Sequence, residues 1–385
     1  MERTDSKREY GIDLLRIVAM IFIVTLHVLA QGGITSVPDR DFYKAFVSQY
    51  LYDFVVCGVN VFALISGYVC YTDKRRRFHL SRLVLLWLQV VFVMLLETFL
   101  AWIFDPTHVS GRLFLRSLLP LTFDTSWYFT GYSIMFFFIP LMNDLVRKTE
   151  ETVLKRLLFV IPLFCLIWSI GGAVPGRNLI TYIKLGTDLN HGYSFVWLCV
   201  LFIIGASIKR CRIGRKIRKP ILFISSGIIV IALNSALYAY QYYGGPKAFE
   251  GSVFLDYLAP NILIVSMIML IVFSNIEIKE GSLFQKAVSF AAPSMFTIYI
   301  VHTHDYFWYQ ILNGLFAPVM RKNIFVISGS VALFIIVLFV SVILLDKLRQ
   351  MIFKLLRLEK LIDLVISAID IFFRRLYGKL IKKGD

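Results

Sequence analysis

Ten apolar runs, most of them as long as a lipid bilayer is thick, divide this chain: roughly 12–30, 52–71, 83–104, 128–146, 157–174, 193–208, 220–240, 256–274, 287–308 and 323–345. A hydrocarbon core needs ~20 helical residues to cross it, and only the fifth and sixth runs fall clearly short. In hydrocarbon each backbone N–H and C=O needs an internal partner, so each run must be helical. Composition agrees, with 58% of 385 residues hydrophobic and 17% charged, against about half and a quarter in soluble domains. The expected fold is all-α, a polytopic integral membrane bundle of about ten transmembrane helices. The first run carries Asp13 and Arg16 and no small-residue cleavage site, so it reads as an anchor and not a removed signal peptide.

The net charge of +16 would suit a nucleic-acid binder if the charges clustered in one place. They alternate instead. Of 41 Lys and Arg, 31 fall in the N-terminus and every second connection, 9 fall in the intervening connections, and Arg16 lies inside the first run. Basic residues mark cytoplasmic segments, so both termini are expected in the cytoplasm and nucleic acid drops out as a partner. Five cysteines without CxxC spacing give neither a metal site nor a disulfide framework. Residues 1–345 are expected to form the membrane domain. Residues 346–385 mix Leu, Ile and Phe with Lys and Arg, the pattern of an amphipathic helix on the anionic inner leaflet.

Ionisable groups inside spans are costly and are functional candidates. In GIDLLRIVAMIFIVTLHV, Arg16 and His27 are eleven residues apart, which places them on one helix face about 16 Å apart along the axis. Asp13 lies within pairing reach of Arg16. Arg16 has two further readings, snorkelling to the interface or pairing with Asp13. Following the helices in their assigned directions puts Glu97, His302, Asn60, Asn234, Trp127 and Tyr128 in the outer half, near the depth of His27. An outward-facing polar pocket is the expectation. A histidine beside a group that orients it has the parts of a general base. No G-x-S-x-G elbow supports a serine hydrolase, and Ser66-Gly67 reads as small-residue helix packing.

At the cytoplasmic end of the second run, Lys74, Arg75, Arg76, Arg77 and Arg82 suit either topology control or a clamp on a phosphorylated donor, since guanidinium forks match phosphate oxygens. The run KRCRIGRKIRK at 209–219 carries the same two readings, with topology the stronger.

Taken together, these segments resemble the membrane-bound acyltransferase 3 family, which includes bacterial envelope O-acetyltransferases. The resemblance rests on Arg16-x10-His27 preceded by Asp13-Leu14-Leu15, on GVNVFALISGY at 58–68, and on the basic segment after it. Ser126-Trp127-Tyr128-Phe129 and SMFTIYIVH at 294–302 complete it. The chain departs from the family pattern at Asn60, where an acid is common, at Ala63, and at His79-x-x-Arg82, where an Arg pair is common.

The resemblance implies transfer of an acyl group, commonly acetyl, from cytosolic acyl-CoA to a hydroxyl of an envelope or extracellular glycan, in a bacterial cytoplasmic membrane and without a metal. On that reading Arg75, Arg76, Arg77 and Arg82 hold the CoA phosphates and Arg16 guides the pantetheine arm. His27 is the general base. Depth in the membrane adds Glu97 or His302 as the group that positions it, and Trp127, Tyr128 and Asn60 as acceptor contacts. The alternative is a transporter or flippase of an envelope glycan or lipid-linked precursor, in which buried polar groups serve as substrate or proton sites. No pair of broken helices at matching positions in two halves speaks for it.

Overall fold

The computed structural model describes residues 8–35, 42–74, 79–173, 189–244 and 255–381, and none of these is in a β-strand. Six stretches are long and apolar enough to cross a membrane: Tyr10–Ala30, Tyr43–Cys70, Leu80–Phe104, Trp127–Lys148, Lys219–Ala239 and Ile324–Leu355. The remaining four runs form helices of another character. Glu151–Ala173 carries charges and Pro162, Phe195–Arg210 has 16 residues and Pro260–Ser274 has 15.

The ninth run departs from a single helix. It forms Leu283–Ala291, a 3-10 turn over Ala292–Ser294, and then Met295–Thr303. Pro293 has no N–H to donate and breaks the ladder there. A π-helical turn, Phe307–Leu312, follows.

In chain order the helices are α1 (Tyr10–Ala30), α2 (Phe42–Val55), α3 (Gly58–Cys70), α4 (Leu80–Phe104), α5 (Gly111–Leu118), α6 (Trp127–Lys148) and α7 (Glu151–Ala173). There follow α8 (Phe195–Arg210), α9 (Lys219–Gly244), α10 (Pro260–Ser274), α11 (Leu283–Ala291), α12 (Met295–Thr303), α13 (Ile324–Leu355) and α14 (Leu358–Ile381). α1 is the hub and packs against α2, α3, α10, α11, α12 and α13. Burial separates hub from rim: 61% of the apolar window of α1 and 72% of that of α2–α3 are buried, against 22% in α9 and in α13. The rim helices turn side chains such as Ile224, Ile228, Phe325 and Leu333 outward, as a lipid-facing surface requires.

Two glycines set the closest helix pair. A Cβ on Gly67 of α3 would lie 2.0 Å from the carbonyl oxygen of Phe202, and one on Gly205 of α8 would lie 2.1 Å from that of Leu64. Only glycine lets the two backbones approach this closely, the small-residue packing that membrane helices use. As a result the segments that follow α3 and α8 leave the bundle side by side.

α13 starts at Asn323, whose Oδ1 accepts from the Val326 N–H at 3.0 Å, an N-cap. Its 32 residues span about 48 Å, more than the ~30 Å hydrocarbon core, and the helix runs unbroken through position 346. The reason is a buried network. The Asp346 carboxylate accepts from Thr297 Oγ1 (2.7 Å), Arg349 Nε (2.7 Å) and Gln350 Nε2 (2.6 Å). The helix ends at its C-cap Leu356, and Arg357 takes a left-handed φ of 51° before α14 begins. α14 then buries Ile362 and exposes Leu364, Val365 and Phe372.

Candidate active site

α1 and α12 carry the two histidines, and their packing joins them. His27 Nδ1 lies 2.8 Å from His302 Nε2, and His302 Nδ1 lies 2.6 Å from the carbonyl oxygen of Ile298. A carbonyl only accepts, so His302 Nδ1 bears the proton. In a neutral imidazole the other nitrogen is then the acceptor, so His302 Nε2 accepts from His27 Nδ1–H. That leaves a lone pair on His27 Nε2, which has no hydrogen-bond partner among the described residues. The sequence left open whether Glu97 or His302 meets His27; the fold brings His302.

The His27 ring is braced edge-on by Trp308, with centroids 4.9 Å apart. The π-helical turn carries Trp308, and Gly314 N–H and Phe316 N–H tie the following segment to the end of α1 through the carbonyls of Gln31 and Gly32, each at 2.9 Å. A small cavity of about 40 Å³ opens beside His27, lined mainly by aromatic rings that include Trp127, Tyr128, Tyr193, Tyr257 and Tyr299. Trp127 and Tyr128 are therefore where the sequence placed them, at the start of α6 beside His27. Trp127 lies nearly parallel to Tyr257, with centroids 6.1 Å apart, and Tyr193 sits 4.7 Å from Trp127. The cavity holds a water-sized group, not a sugar ring.

Three candidates sit elsewhere. Glu97 pairs with a different histidine: its Oε1 is 3.6 Å from His304 Nδ1, and His304 Nε2 faces Thr98 Oγ1 at 3.0 Å. Asn60 is fully buried and spends both ends of its amide inside the protein, donating to the Tyr257 carbonyl (2.7 Å) and accepting from Trp197 Nε1–H (3.2 Å). It fixes an aromatic wall and does not face the cavity. Arg16 donates to Asp13 Oδ1 at 2.5 Å, and Arg8 holds Asp13 Oδ2 at 2.6 Å. Arg16 lines neither this cavity nor the one described next.

At the opposite, basic end of the bundle lies a cavity of about 1590 Å³ between the segments that follow α3 and α8. Arg82 lines it with Lys74, and so do Lys209, Arg210, Arg212, Arg215 and Lys216. Arg75, Arg76 and Arg77 lie outside the described residues. Cys211 also lines this cavity; burial and the nearby Glu151 push its thiol above the ordinary range.

A family model described as an acyltransferase domain (Acyl_transf_3) matches residues 9–346, nearly the whole chain. The chain belongs to the acyltransferase 3 family. No curated protein and no solved structure matches it. This acyltransferase therefore places its paired histidines between α1 and α12, inside the matched region. Sequence reasoning about the acyltransferase missed Tyr193, Tyr257 and Trp308. They stand at the ends of the sixth, eighth and ninth apolar runs, where no charge or motif sets them apart; the structure puts them in connections or at an irregular turn. Tyr299 stands within SMFTIYIVH at 294–302, but nothing in that segment marks it as a cavity wall.

Proposed function

We propose that this acyltransferase moves an acyl group, acetyl in the first instance, from acyl-CoA to a hydroxyl of an envelope or extracellular glycan, with His27 as general base. The observation that carries the reading is the hydrogen-bonded chain from the Ile298 carbonyl through His302 to His27, which fixes the tautomer with its free lone pair at Nε2. The acceptor hydroxyl gives its proton to Nε2 as its oxygen attacks the thioester carbonyl. The tetrahedral intermediate expels the CoA sulfur, and the proton passes from His27 to that thiolate. No proton is gained or lost overall. General base catalysis of this kind contributes about 10²–10⁴-fold. His302 is the positioning residue: it accepts from Nδ1–H and steadies the imidazolium that forms.

The aromatic rings around the cavity, with Trp127 and Tyr193 toward the outer end, suit stacking on a sugar face, and they have to part to admit one. The deciding experiment uses purified protein in liposomes with radiolabelled acetyl-CoA, with and without envelope glycan extract, in wild type and His27→Gln. Glycan-dependent transfer of label that vanishes in the variant is the expected result. Folded wild-type protein that neither binds CoA nor transfers label, yet moves glycan across the bilayer, refutes the reading in favour of transport.

A further inference from the structure

The basic run after α8 does more than mark the cytoplasmic side. Its backbone is built into a fixed shape. Hydrogen bonds from Arg212 N–H to the Lys209 carbonyl, Ile213 N–H to that of Ile208, and Arg215 N–H to that of Arg212 close successive turns at 3.2, 3.2 and 3.3 Å. Arg212 and Gly214 take left-handed conformations at φ 51° and +84°. A Cβ on Gly214 would lie 2.5 Å from Ile271 Cγ2, so the loop is seated directly on α10. A segment serving only as topology charge needs no such construction.

The charge is also poorly compensated. Around the cavity Arg215 has Glu9 at 3.9 Å and Lys155 has Glu151 at 3.5 Å. Lys74, Arg82, Arg210, Arg212 and Lys216 have no carboxylate within ion-pair distance among the described residues. The Nη1 of Arg210 is buried and has no hydrogen-bond partner among the described residues. An unmet guanidinium nitrogen costs free energy unless an anion supplies the missing acceptor. The cavity volume exceeds that of sites for drug-sized ligands, and it lies where the Gly67–Gly205 contact brings both basic segments together.

Resting on the proposed acyl transfer, we infer that Lys209–Lys216 forms the phosphate-binding wall of the acyl-donor site. There Arg210 and Arg212 take phosphate oxygens of a polyphosphorylated nucleotide thioester of the CoA type. Lys74 and Arg82 face them across the cavity. Guanidinium groups bind phosphate by paired hydrogen bonds, and the contact weakens as salt screens it.

The test uses the full chain in phosphatidylcholine nanodiscs, with CoA and pantetheine as probes. Titration calorimetry reads CoA binding, and maleimide modification of Cys211, located by peptide mass spectrometry, reads occupancy of the cavity. CoA is expected to slow labelling of Cys211, whereas pantetheine, which lacks the phosphates, does not. The Arg210→Gln/Arg212→Gln variant is expected to melt as wild type, to bind CoA at least tenfold more weakly, and to raise KM for the donor with kcat kept. A variant that binds CoA as tightly as wild type, with shielding intact, overturns the wall and leaves the acyl-transfer reading standing. Shielding by phosphatidylglycerol nanodiscs and not by CoA assigns the site to a lipid headgroup and also overturns it. Folded wild type that shows neither CoA binding nor turnover brings down the proposed function itself.

Discussion

Replacing His302 by Ala removes the half of the histidine pair that exchanges no proton with substrate. In the native chain His302 Nε2 accepts from His27 Nδ1–H at 2.8 Å. Without it that donor stays in an apolar setting with nothing to bind, at a cost of about 1–3 kcal/mol. The ring escapes the cost by carrying its proton on Nε2, with a water-sized acceptor in the cavity that His27 lines. That tautomer has no lone pair at Nε2 and cannot take the hydroxyl proton there. At ~1.4 kcal/mol per decade, the active tautomer falls about 5- to 150-fold, and kcat falls with it while KM for the donor holds. His302→Gln presents an amide oxygen to the same N–H and should recover part of the loss. Single-turnover acyl transfer at saturating donor in proteoliposomes measures all three proteins. The tautomer argument would be refuted if His302→Ala kept kcat within about twofold of wild type while His27→Gln was inactive.

Four further outcomes follow from the fold. Gly205→Ala drives a Cβ to 2.1 Å from the Leu64 carbonyl oxygen; overpacking of this kind costs about 1–3 kcal/mol, read as a lower unfolding temperature, and an unchanged melt contradicts the close contact. Asn60→Ala leaves Trp197 Nε1–H buried without an acceptor, again about 1–3 kcal/mol. It should also loosen Tyr257 and raise KM for the acceptor but not for the donor. Asp346→Asn strips the partner from Arg349, which is 8% exposed. Breaking one side of a buried pair costs about 3–5 kcal/mol, and Asp346→Leu/Arg349→Met should melt higher than the single variant. Ending the chain after Arg357 removes α14 and its exposed Leu364, Val365 and Phe372. The truncated protein should keep its turnover, and a peptide of residues 358–385 should bind anionic vesicles and not zwitterionic ones, by tryptophan-free methods such as co-sedimentation.

Much of the architecture could be read along the chain. An apolar run long enough to cross a bilayer must be a helix, whatever it packs against. The placement of Lys and Arg assigns sides without knowledge of neighbours. For the same reason Arg16 and His27 fall on one face of α1: their eleven-residue spacing is a property of a single helix. The ninth run shows the limit. Pro293 was visible, yet whether a helix bends, breaks or absorbs a proline depends on what surrounds it, and here the outcome was a 3-10 turn.

Pairings between helices required three dimensions. Glu97 and His302 stood at similar depth in the membrane, and depth does not say which faces which: His302 met His27, and Glu97 met His304. Asn60 was polar and buried either way, but only its neighbours Tyr257 and Trp197 showed that its amide was already spent. The run at 209–219 gave a count of charges, and charge alone fits topology as well as binding. Its proposed second role rests on Gly67 and Gly205, which press α3 against α8 and bring two basic segments, more than a hundred residues apart in sequence, around one cavity. Lengths, periods and signs belong to the one-dimensional chain, whereas contact between distant residues belongs to the packing of helices whose partners no single sequence names.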